Sequence, residues 1–415
     1  MSRTADVVII GAGIAGVSTA YHLAVRHGVS EVVVVDARPP LSLTSDKSTE
    51  CYRNWWPSSP MVELMNRSID ILDELAGEVQ FGMNRRGYLF VTAREPTLVR
   101  LASESEVVAR IGADSDLLDP NDLRSRYPFV TSEAVGGLWV PRAGWFNAQV
   151  LGQWLLDRAR DRGTEVVTAS VTAIAGTVAL SDGSEISTPQ VVIAAGPLSA
   201  DVGRLAGLEL PLHSELHLKV TFKDHLRVIP RDAPMTIWSD PQRLDWDDEE
   251  RKGLVKSDRG DLTAEMPVFC HFRPEGGADS PYIVGLWEYH GQAMDPVWPL
   301  PEDPMYPEVV MRGLTTMVPG LSAYRDRLPE SFVDGGYYTK TVENRPLIGP
   351  SPRPGVHLMT GMSGFGVMVS QAAADLLATY LAGGELPGYA AAFLLDRYRD
   401  PDYLQTIEDV PTGQL

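Results

Sequence analysis

The sequence predicts an α/β fold in which a domain with a parallel sheet carries a second domain built on an antiparallel sheet. The apolar run at 7–10 leads through a glycine turn at 11–16 into a helical pattern, and a second apolar run at 31–35 follows. Near the C-terminus a second glycine turn, at 361–366, again joins a strand pattern to a helical one. Strands that alternate with helices in this way are typical of βαβ units and a parallel sheet.

The first glycine turn has the spacing of a dinucleotide-binding motif. Gly11 permits the tight turn, Gly13 lets a pyrophosphate approach the backbone, and Gly16 lets the helix pack close to the strand. Asp36 lies 20 residues after Gly16. A carboxylate there accepts hydrogen bonds from a ribose hydroxyl and disfavours the 2′-phosphate of NADP. The motif alone leaves NAD and FAD open. The residues expected around it are Gly11, Gly13, Ile14, Ala15, Gly16, Asp36, Ala37 and Arg38.

Composition and charge exclude several classes of partner. The chain has 36 Lys and Arg residues against 55 Asp and Glu residues, a formal net charge of −19, which repels nucleic acid and anionic membranes. Its two cysteines form no C-x-x-C pair and no cluster with histidines, so we expect neither a disulfide framework nor a metal site. We find no signal peptide ahead of the first strand and no uninterrupted apolar run that would span a membrane, and we therefore expect a cytoplasmic location.

The middle of the chain carries a second α/β pattern. The predicted elements are a helix at 147–162, strands at 165–168, 171–174 and 177–180, a hairpin turn at 181–184 with its return strand at 185–187, and a buried strand at 191–196.

Two stretches richer in aromatic and strand-forming residues interrupt the parallel-sheet domain. We assign them to one discontinuous substrate domain. The charged segment 240–266 is expected to be a long surface excursion, either a lid or a mobile loop. The resulting domains are residues 1–82, 146–213 and 334–402 for the parallel sheet, residues 83–145 and 214–333 for the substrate domain, and residues 403–415 as a tail.

Several blocks of the chain, in this order, resemble the D-amino-acid oxidase superfamily, specifically its sarcosine oxidase and glycine oxidase branch. The blocks are the βαβ unit at 7–36, the phrases at 86–91 and 144–147, the strand at 191–196, and the pair at 341–349 and 361–366. The resemblance spans most of the chain. It implies a glutathione-reductase-like FAD-binding Rossmann domain, with FAD extended and its ring at the domain interface.

The resemblance also implies which further residues line the cofactor. A helix that begins near Val367 would direct its positive end at the flavin C2 carbonyl and stabilise the charge of the reduced ring. The segment after the βαβ unit passes the ribityl chain in this family. The implied contacts are Ser45, Lys47, Ser48, Thr49, Val171, Ala195, Gly196, Gly361, Gly364, Phe365, Gly366, Val367 and Met368.

Four residues are candidates for contact with the substrate. Arg53 matches an arginine that binds the substrate carboxylate in sarcosine oxidase, and a guanidinium fork suits that role. A structural ion pair is the alternative for Arg53. Tyr338 lies near the position of the arginine used by glycine oxidase and D-amino-acid oxidase. Lys219 and His290 are the remaining candidate catalytic residues.

Three positions depart from the family pattern. Gly336 stands where sarcosine oxidase attaches its flavin through a cysteine, which implies non-covalent FAD. Met368 replaces a lysine that pairs with the substrate carboxylate, and this makes a small α-amino acid a weaker expectation. Leu286 stands where a lysine activates oxygen, so reaction with O2 should be slow unless Lys219 or His290 takes over.

The expected substrate pocket is rich in aromatic side chains. Such faces suit a bulky apolar group or a cationic amine, and core packing is the alternative. The aromatic residues are Trp55, Trp56, Trp145, Trp287, Tyr289, Tyr337 and Tyr338, and the polar residues expected to face the substrate are His217, Lys219, Glu288 and His290.

We therefore predict FAD-dependent oxidation of a C–N bond in an amine or N-substituted amino acid, by hydride transfer to flavin N5 to give an imine. The electrons would pass to O2 or to another acceptor. The alternative is oxidation of an alcohol C–O bond, as in a 2-hydroxy acid, with His290 or His217 as base. A third hypothesis is that the chain is a flavoprotein subunit of an oxidase complex. An NAD dehydrogenase is a fourth, which would leave the second glycine turn without a function.

Overall fold

A computed structural model of the chain describes residues 3–407, and it confirms the α/β fold with a largely parallel sheet of six strands. Their order across the sheet is Leu347–Pro350, Val356–Thr360, Gln190–Ile193, Val7–Ile10, Val32–Asp36 and Glu165–Thr168. Neighbouring strands are parallel except for the first pair. The Val- and Ile-rich central strands are buried, because helices cover both faces of such sheets.

The glycine turn brings the first helix against the sheet. Gly11 has φ +111°, and a Cβ there would lie 2.3 Å from the carbonyl oxygen of Ala194. A Cβ on Gly16 would lie 1.9 Å from the carbonyl oxygen of Gly11, so only glycine permits this approach. The helix, Ile14–Tyr21, begins within the predicted glycine turn at 11–16 and continues as a π-helical turn, His22–Arg26.

The second α/β pattern folds as the sequence predicts. The helix Ala148–Arg160 begins after Asn147, whose side chain accepts a hydrogen bond from the Val150 N–H. The strands that follow it build a small four-stranded sheet beside the main one, in the order Arg3–Thr4, Glu185–Ser187, Thr177–Leu180 and Val171–Ile174.

The substrate domain is centred on an eight-stranded, largely antiparallel sheet. Its order is Ser331–Lys340, His213–Lys223, Tyr282–Leu286, Cys270–Pro274, Met235–Trp238, Tyr88–Thr92, Gly136–Val140 and Asp116–Leu118. Only the pair formed by Met235–Trp238 and Tyr88–Thr92 is parallel. The strand Ser331–Lys340 crosses the predicted domain boundary between residues 333 and 334. One strand therefore belongs to both predicted domains.

Two short antiparallel pairs and the remaining helices complete the described chain. The pairs are Cys51–Arg53 with Ala143–Trp145, and Gln242–Arg243 with Glu265–Met266. The further α-helices are Thr44–Lys47, Ser59–Ala76, Glu95–Ala109, Pro120–Arg126, Ser199–Leu205, Asp248–Lys256, Tyr306–Met317, Gly366–Ala382 and Pro401–Thr406. The 3₁₀ turns are Gly196–Leu198, Gly260–Thr263, Pro319–Tyr324, Ser363–Phe365, Ala390–Phe393 and Leu395–Arg399.

Within residues 3–407, one helical stretch, Ser363–Ala382, is long and apolar enough to cross a membrane by length and composition, although Asp375 interrupts its apolar run. Its most apolar window has a mean hydropathy of 1.3, and 67% of that window is buried in the protein. The helix Gly366–Ala382 packs against the helices Ser59–Ala76 and Ile14–Tyr21, as a core helix does.

Two expectations about irregular segments are corrected. Segment 240–266 is not a loose excursion, because Trp246, Leu254 and Leu262 are buried in the core of the substrate domain. The expected tail from residue 403 begins too early, because the Tyr403 hydroxyl donates a hydrogen bond to Glu343. Residues 408–415 of that tail lie outside the described residues.

Candidate active site

A cavity of about 400 Å³ runs along the carboxyl ends of the parallel strands, the edge at which open α/β sheets bind ligands. Its wall contains sixteen of the residues expected to hold the cofactor: Gly11, Gly13, Ile14, Ala15, Asp36, Ala37, Arg38, Ser45, Ser48, Val171, Ala195, Gly196, Gly361, Gly364, Gly366 and Val367.

The glycine turn forms the phosphate-binding part of this wall. Gly13 precedes the helix Ile14–Tyr21 and supplies no capping side chain, so the positive end of the helix faces the cavity. The Ile14 N–H donates to the Ser45 hydroxyl over 2.9 Å, and a Cβ on Gly13 would lie 3.2 Å from the same oxygen. This turn, which has no side chain at Gly13, leaves space for a pyrophosphate.

The carboxylate of Asp36 is fixed at the same wall. It accepts hydrogen bonds from the Ala12 N–H over 2.7 Å and from the Arg38 N–H over 2.9 Å. An acceptor held there suits the hydroxyls of an adenosine ribose.

The second glycine turn forms another part of the cavity wall. Gly361 has φ +69°, which glycine adopts without strain, and the turn leads into the helix Gly366–Ala382. Gly366 and Val367, in the first turn of that helix, line the cavity. A positive helix end at this place would stabilise a reduced flavin ring.

A second, smaller cavity of about 40 Å³ adjoins the first. Tyr338 and Gly364 line both cavities, so the two meet at these residues. The other residues of the smaller cavity are Thr49, Cys51, Arg53, Trp56, Tyr88, Met235, His271, Leu286, Phe365 and Met368.

Arg53 provides the positive charge of the smaller cavity. Its side chain is buried, its Nε donates to the Trp55 carbonyl oxygen over 3.1 Å, and its guanidinium carbon lies 4.4 Å from the centre of the Trp56 ring. Burial lowers the pKa of Arg53 to about 10, so the side chain stays charged at neutral pH. A buried cation that lines a small cavity attracts an anionic substrate group.

A cluster of ionisable groups lies behind Tyr338. The ligand atoms of Glu215, His217 and Glu288 lie within 4.8 Å of one another, which would suit a metal ion. However, the Lys340 ammonium donates a hydrogen bond to Glu215 and lies 3.5 Å from Glu288, so the cluster is an ion-pair network. Burial raises the pKa of Glu215, but its hydrogen bonds with His217 and Lys340 outweigh burial and lower the pKa.

Comparison with known proteins identifies the family. The family model described as "FAD dependent oxidoreductase" (DAO) matches residues 6–380. The chain belongs to this family. It is therefore an oxidoreductase, and its cofactor is FAD, in agreement with the cavity geometry.

Among curated proteins, this oxidoreductase is similar to sarcosine dehydrogenases and sarcosine oxidase subunits. It is 30% identical over 237 residues to the mitochondrial sarcosine dehydrogenase of Mus musculus, a match that covers 53% of this chain and 26% of that protein. It thus spans about a quarter of the length of that relative. It is 25% identical over 409 residues to sarcosine oxidase subunit beta of Rhizobium meliloti, which covers 95% of this chain and 88% of that one.

Solved structures share the fold of this oxidoreductase. L-proline dehydrogenase from P. horikoshii has a TM-score of 0.79 at 20% identity and covers 96% of this chain and 99% of its own. Glycine oxidase from Geobacillus kaustophilus has a TM-score of 0.77 at 18% identity, with coverages of 95% and 99%.

Five predicted cofactor residues of the oxidoreductase lie outside the larger cavity. Gly16 serves the packing of the helix on the turn. Lys47 forms ion pairs with Asp46 and, at 3.6 Å, with Asp334. The other three line the smaller cavity instead: Thr49, Phe365 and Met368.

The four candidate catalytic residues separate into two groups. Arg53 and Tyr338 line the smaller cavity. Lys219 does not line either cavity, because its ammonium donates to the Ser48 carbonyl oxygen over 3.2 Å and lies 3.5 Å from Asp334. His290 is also outside, half-exposed and 2.9 Å from Asp303.

The sequence reasoning missed several wall residues. His271 and Met235 belong to strands of the eight-stranded sheet and lie in no motif, so only the pairing of distant strands brings them to the cavity. Tyr88 lies in the phrase at 86–91, which resembles the family but was not assigned to the site. The wall residues Pro39 and 41–44 could have been found, since they follow the carboxyl end of the strand Val32–Asp36.

Most of the expected pocket aromatics lie elsewhere. Trp56 and Tyr338 line the smaller cavity and Tyr337 lines the larger one. Trp287 packs against Gly313 in the core, and the Tyr289 hydroxyl donates to Asp303. Trp55 and Trp145 are buried and line neither cavity.

Proposed function

We propose that this chain oxidises the C–N bond of a small amino or imino acid. The observation that carries the proposal is the buried Arg53 guanidinium in a cavity that joins the FAD site at Tyr338 and Gly364. A substrate carboxylate bound to Arg53 would place its α-carbon toward that junction, because the smaller cavity meets the FAD cavity there. Sarcosine, proline and glycine, which appear in the names of the similar proteins, are acids of this kind.

The size of the cavity favours a small substrate over a bulky aromatic one. A volume of about 40 Å³ accommodates only a few non-hydrogen atoms. Met368, which replaces the family's second cationic residue, lies in the wall of this cavity. Arg53 is the cationic side chain among the wall residues. This arrangement suits one carboxylate with a short carbon–nitrogen group attached.

The protein's own contribution would be orientation and exclusion of water. When bound, FAD supplies the hydride acceptor. Arg53 would hold the carboxylate, while Trp56, Phe365 and Met368 provide the apolar walls that keep water from the reacting carbon. Burial raises the pKa of Tyr338, so its hydroxyl is neutral and adds no charge beside the substrate.

We also propose that the physiological electron acceptor is not O2. Leu286 puts an apolar side chain in the wall where a cation would stabilise superoxide. Lys219 does not compensate, since its ammonium lies 3.5 Å from the carboxylate of Asp334. The cytoplasmic location stays a prediction.

Oxidation of a 2-hydroxy acid is the second candidate, favoured by one observation. His271 lines the smaller cavity, and a neutral imidazole could take the hydroxyl proton of such an acid. The bases that we first considered, His217 and His290, do not line this cavity.

Anaerobic reduction of the bound flavin tests both candidates. The purified holoenzyme is titrated with sarcosine, L-proline and glycine, and in parallel with lactate and glycolate, while the flavin absorbance is followed. We expect bleaching by an amino or imino acid only. Bleaching by a hydroxy acid alone would support the second candidate. The variant R53K should slow the bleaching, because lysine cannot form two parallel hydrogen bonds with the carboxylate. R85K, at an exposed arginine, is the control.

A further inference from the structure

We propose that His271 determines the specificity of this site by accepting a hydrogen bond from the substrate N–H. The inference rests on the proposed amino-acid oxidation and adds a class of substrate. It predicts that the site prefers acids whose nitrogen, in its neutral reactive form, still carries a hydrogen. Primary and secondary amino acids meet this condition and N,N-dialkylated ones do not.

The first step is the placement of His271. It belongs to the strand Cys270–Pro274 and pairs with Leu286 on one neighbouring strand and with Ile237 on the other. The residue is only 4% exposed, yet its side chain lines the smaller cavity together with Arg53. The ring is therefore shielded from bulk water but open to a ligand.

The second step is the tautomer. Nδ1 of His271 lies 2.6 Å from the carbonyl oxygen of Phe269. A carbonyl only accepts, so Nδ1 carries the hydrogen and Nε2 keeps the lone pair. Among residues 3–407, no group forms a hydrogen bond with Nε2. Nε2 is not fully buried but reaches the surface of the cavity, where a ligand N–H could form a hydrogen bond with it.

The third step is the charge state. Burial lowers the pKa of His271 to about 4, and the positive charge of Arg53 acts in the same direction. The other titratable groups around the ring are Cys51, Tyr88 and Tyr338 in the cavity wall, and His217 behind it. Burial raises the pKa of each of the three wall groups, so they stay neutral. At neutral pH the cavity offers one cation and one lone pair.

A cation and a lone pair complement a carboxylate and an N–H group. A neutral tertiary amine would instead direct its own lone pair at Nε2 of His271, where no hydrogen is available. The site therefore discriminates between amines by hydrogen bonding. When a tertiary amine is bound, Nε2 of His271 has no donor, and binding is weaker.

The test uses two nearly isosteric acids that cannot be oxidised as substrates. Pyrrole-2-carboxylate has a ring N–H, whereas furan-2-carboxylate has a ring oxygen in its place. Each is titrated into the holoenzyme, and binding is measured from the flavin absorbance change and by calorimetry. We expect the wild type to bind the pyrrole acid about tenfold more tightly. The variant H271L should bind both acids equally, and H271Q, which keeps an acceptor, should retain part of the preference.

Two controls separate this inference from the proposed function. R53K should lower the affinity for both acids by a similar factor, because Arg53 contacts the carboxylate that they share. Flavin content and thermal midpoint confirm that each variant is folded, and H271Q remains informative if H271L does not fold. An unchanged preference in the histidine variants would overturn the role of His271 while leaving the amino-acid oxidation intact. If neither acid binds the wild type, the cavity is not a carboxylate site and both proposals fail.

A kinetic measurement adds an independent readout. The ratio of kcat/KM for sarcosine to that for N,N-dimethylglycine should be high in the wild type and should fall about tenfold in H271L. A ratio near one in the wild type would contradict the proposal.

Discussion

The imidazole of His217 stacks on the phenol ring of Tyr338, with ring centroids 3.7 Å apart and planes inclined by 19°. Tyr338 forms part of the wall of both cavities, and His217 lies behind it. Nε2 of His217 lies 2.8 Å from a carboxylate oxygen of Glu288 and 3.3 Å from one of Glu215. The ring at the junction of the larger and smaller cavities is therefore held by a partly buried ion-pair network and not by apolar packing alone.

The ring of Tyr338, and not its hydroxyl, should be the part that matters. No hydrogen bond of this hydroxyl is formed with residues 3–407, whereas the ring contacts His217 and fills the space next to Gly364. We expect Y338F to keep kcat/KM within about threefold and Y338A to lose about 100-fold, since the substrate is then poorly positioned. Stopped-flow flavin reduction measures both. A large loss in Y338F would instead assign the hydroxyl a direct contact with the substrate.

Arg53 should bind the substrate carboxylate through its planar fork. Lysine keeps the charge but not the two parallel hydrogen bonds, so R53K should lower kcat/KM about 100-fold, mainly through KM. The FAD content should not change, because Arg53 lines the smaller cavity and not the larger one. R85K, an exposed arginine paired with Asp73, is the matched control. Normal kinetics in R53K would mean that Arg53 is a structural residue.

The cofactor end of the molecule could be predicted from sequence and the substrate end only in part. The glycine turn and Asp36 are encoded locally, since strand, turn and helix follow one another directly in the chain. Arg53 and Tyr338 were found through family resemblance.

The position of His271 depends on pairing with Leu286 in another strand, and no local pattern records that register. Lys219 and His290 were predicted to face the substrate and to replace the missing oxygen-activating lysine. The carboxylate partner of Lys219, Asp334, is distant in sequence, whereas Asp303 lies 13 residues after His290, and no local motif marks either pair.

Reaction with oxygen should be slow. Leu286 lines the smaller cavity, and a cation in its place would stabilise superoxide as it forms. We expect turnover with an artificial acceptor such as phenazine methosulfate to exceed turnover with O2 at least about tenfold. The variant L286K should raise the oxygen rate, while L286M, which stays apolar, should not. Rapid peroxide formation by the wild type with its best substrate would contradict this prediction.

The flavin should be released completely by acid. Gly336, at the position of the family's attachment cysteine, has no thiol, and Cys270 is buried in the core of the substrate domain. Cys51 lines the smaller cavity but is absent from the wall of the larger one, and burial raises the pKa of its thiol. After precipitation with trichloroacetic acid, all yellow colour should be in the supernatant. Flavin that stays with the pellet would show a covalent bond, and C51S would then test the nearer thiol.

The buried carboxylate of Glu343 should fix the C-terminal segment and stabilise the fold. It pairs with Arg397 over 2.7 Å and accepts hydrogen bonds from the hydroxyls of Tyr398 and Tyr403. Removing its charge leaves Arg397 buried without a counterion, so E343Q should lower the free energy of unfolding by about 3–5 kcal/mol in urea titrations. The double variant E343L/R397M should regain most of this loss, because no unpaired charge remains.

The same pair predicts the direction of the pH dependence of stability. Burial raises the pKa of Glu343, but the charge of Arg397 and the tyrosine hydrogen bonds outweigh burial and lower it. The stabilisation is therefore complete above the unfolded pKa of about 4.3 and is lost as pH falls through the lower folded value. The difference in unfolding free energy between wild type and E343Q should shrink below that pH. R325M, which removes an exposed pair with Asp245, should leave stability nearly unchanged at every pH. A difference that does not change between pH 7 and pH 3 would mean that the Glu343 carboxylate is not the source of the stabilisation.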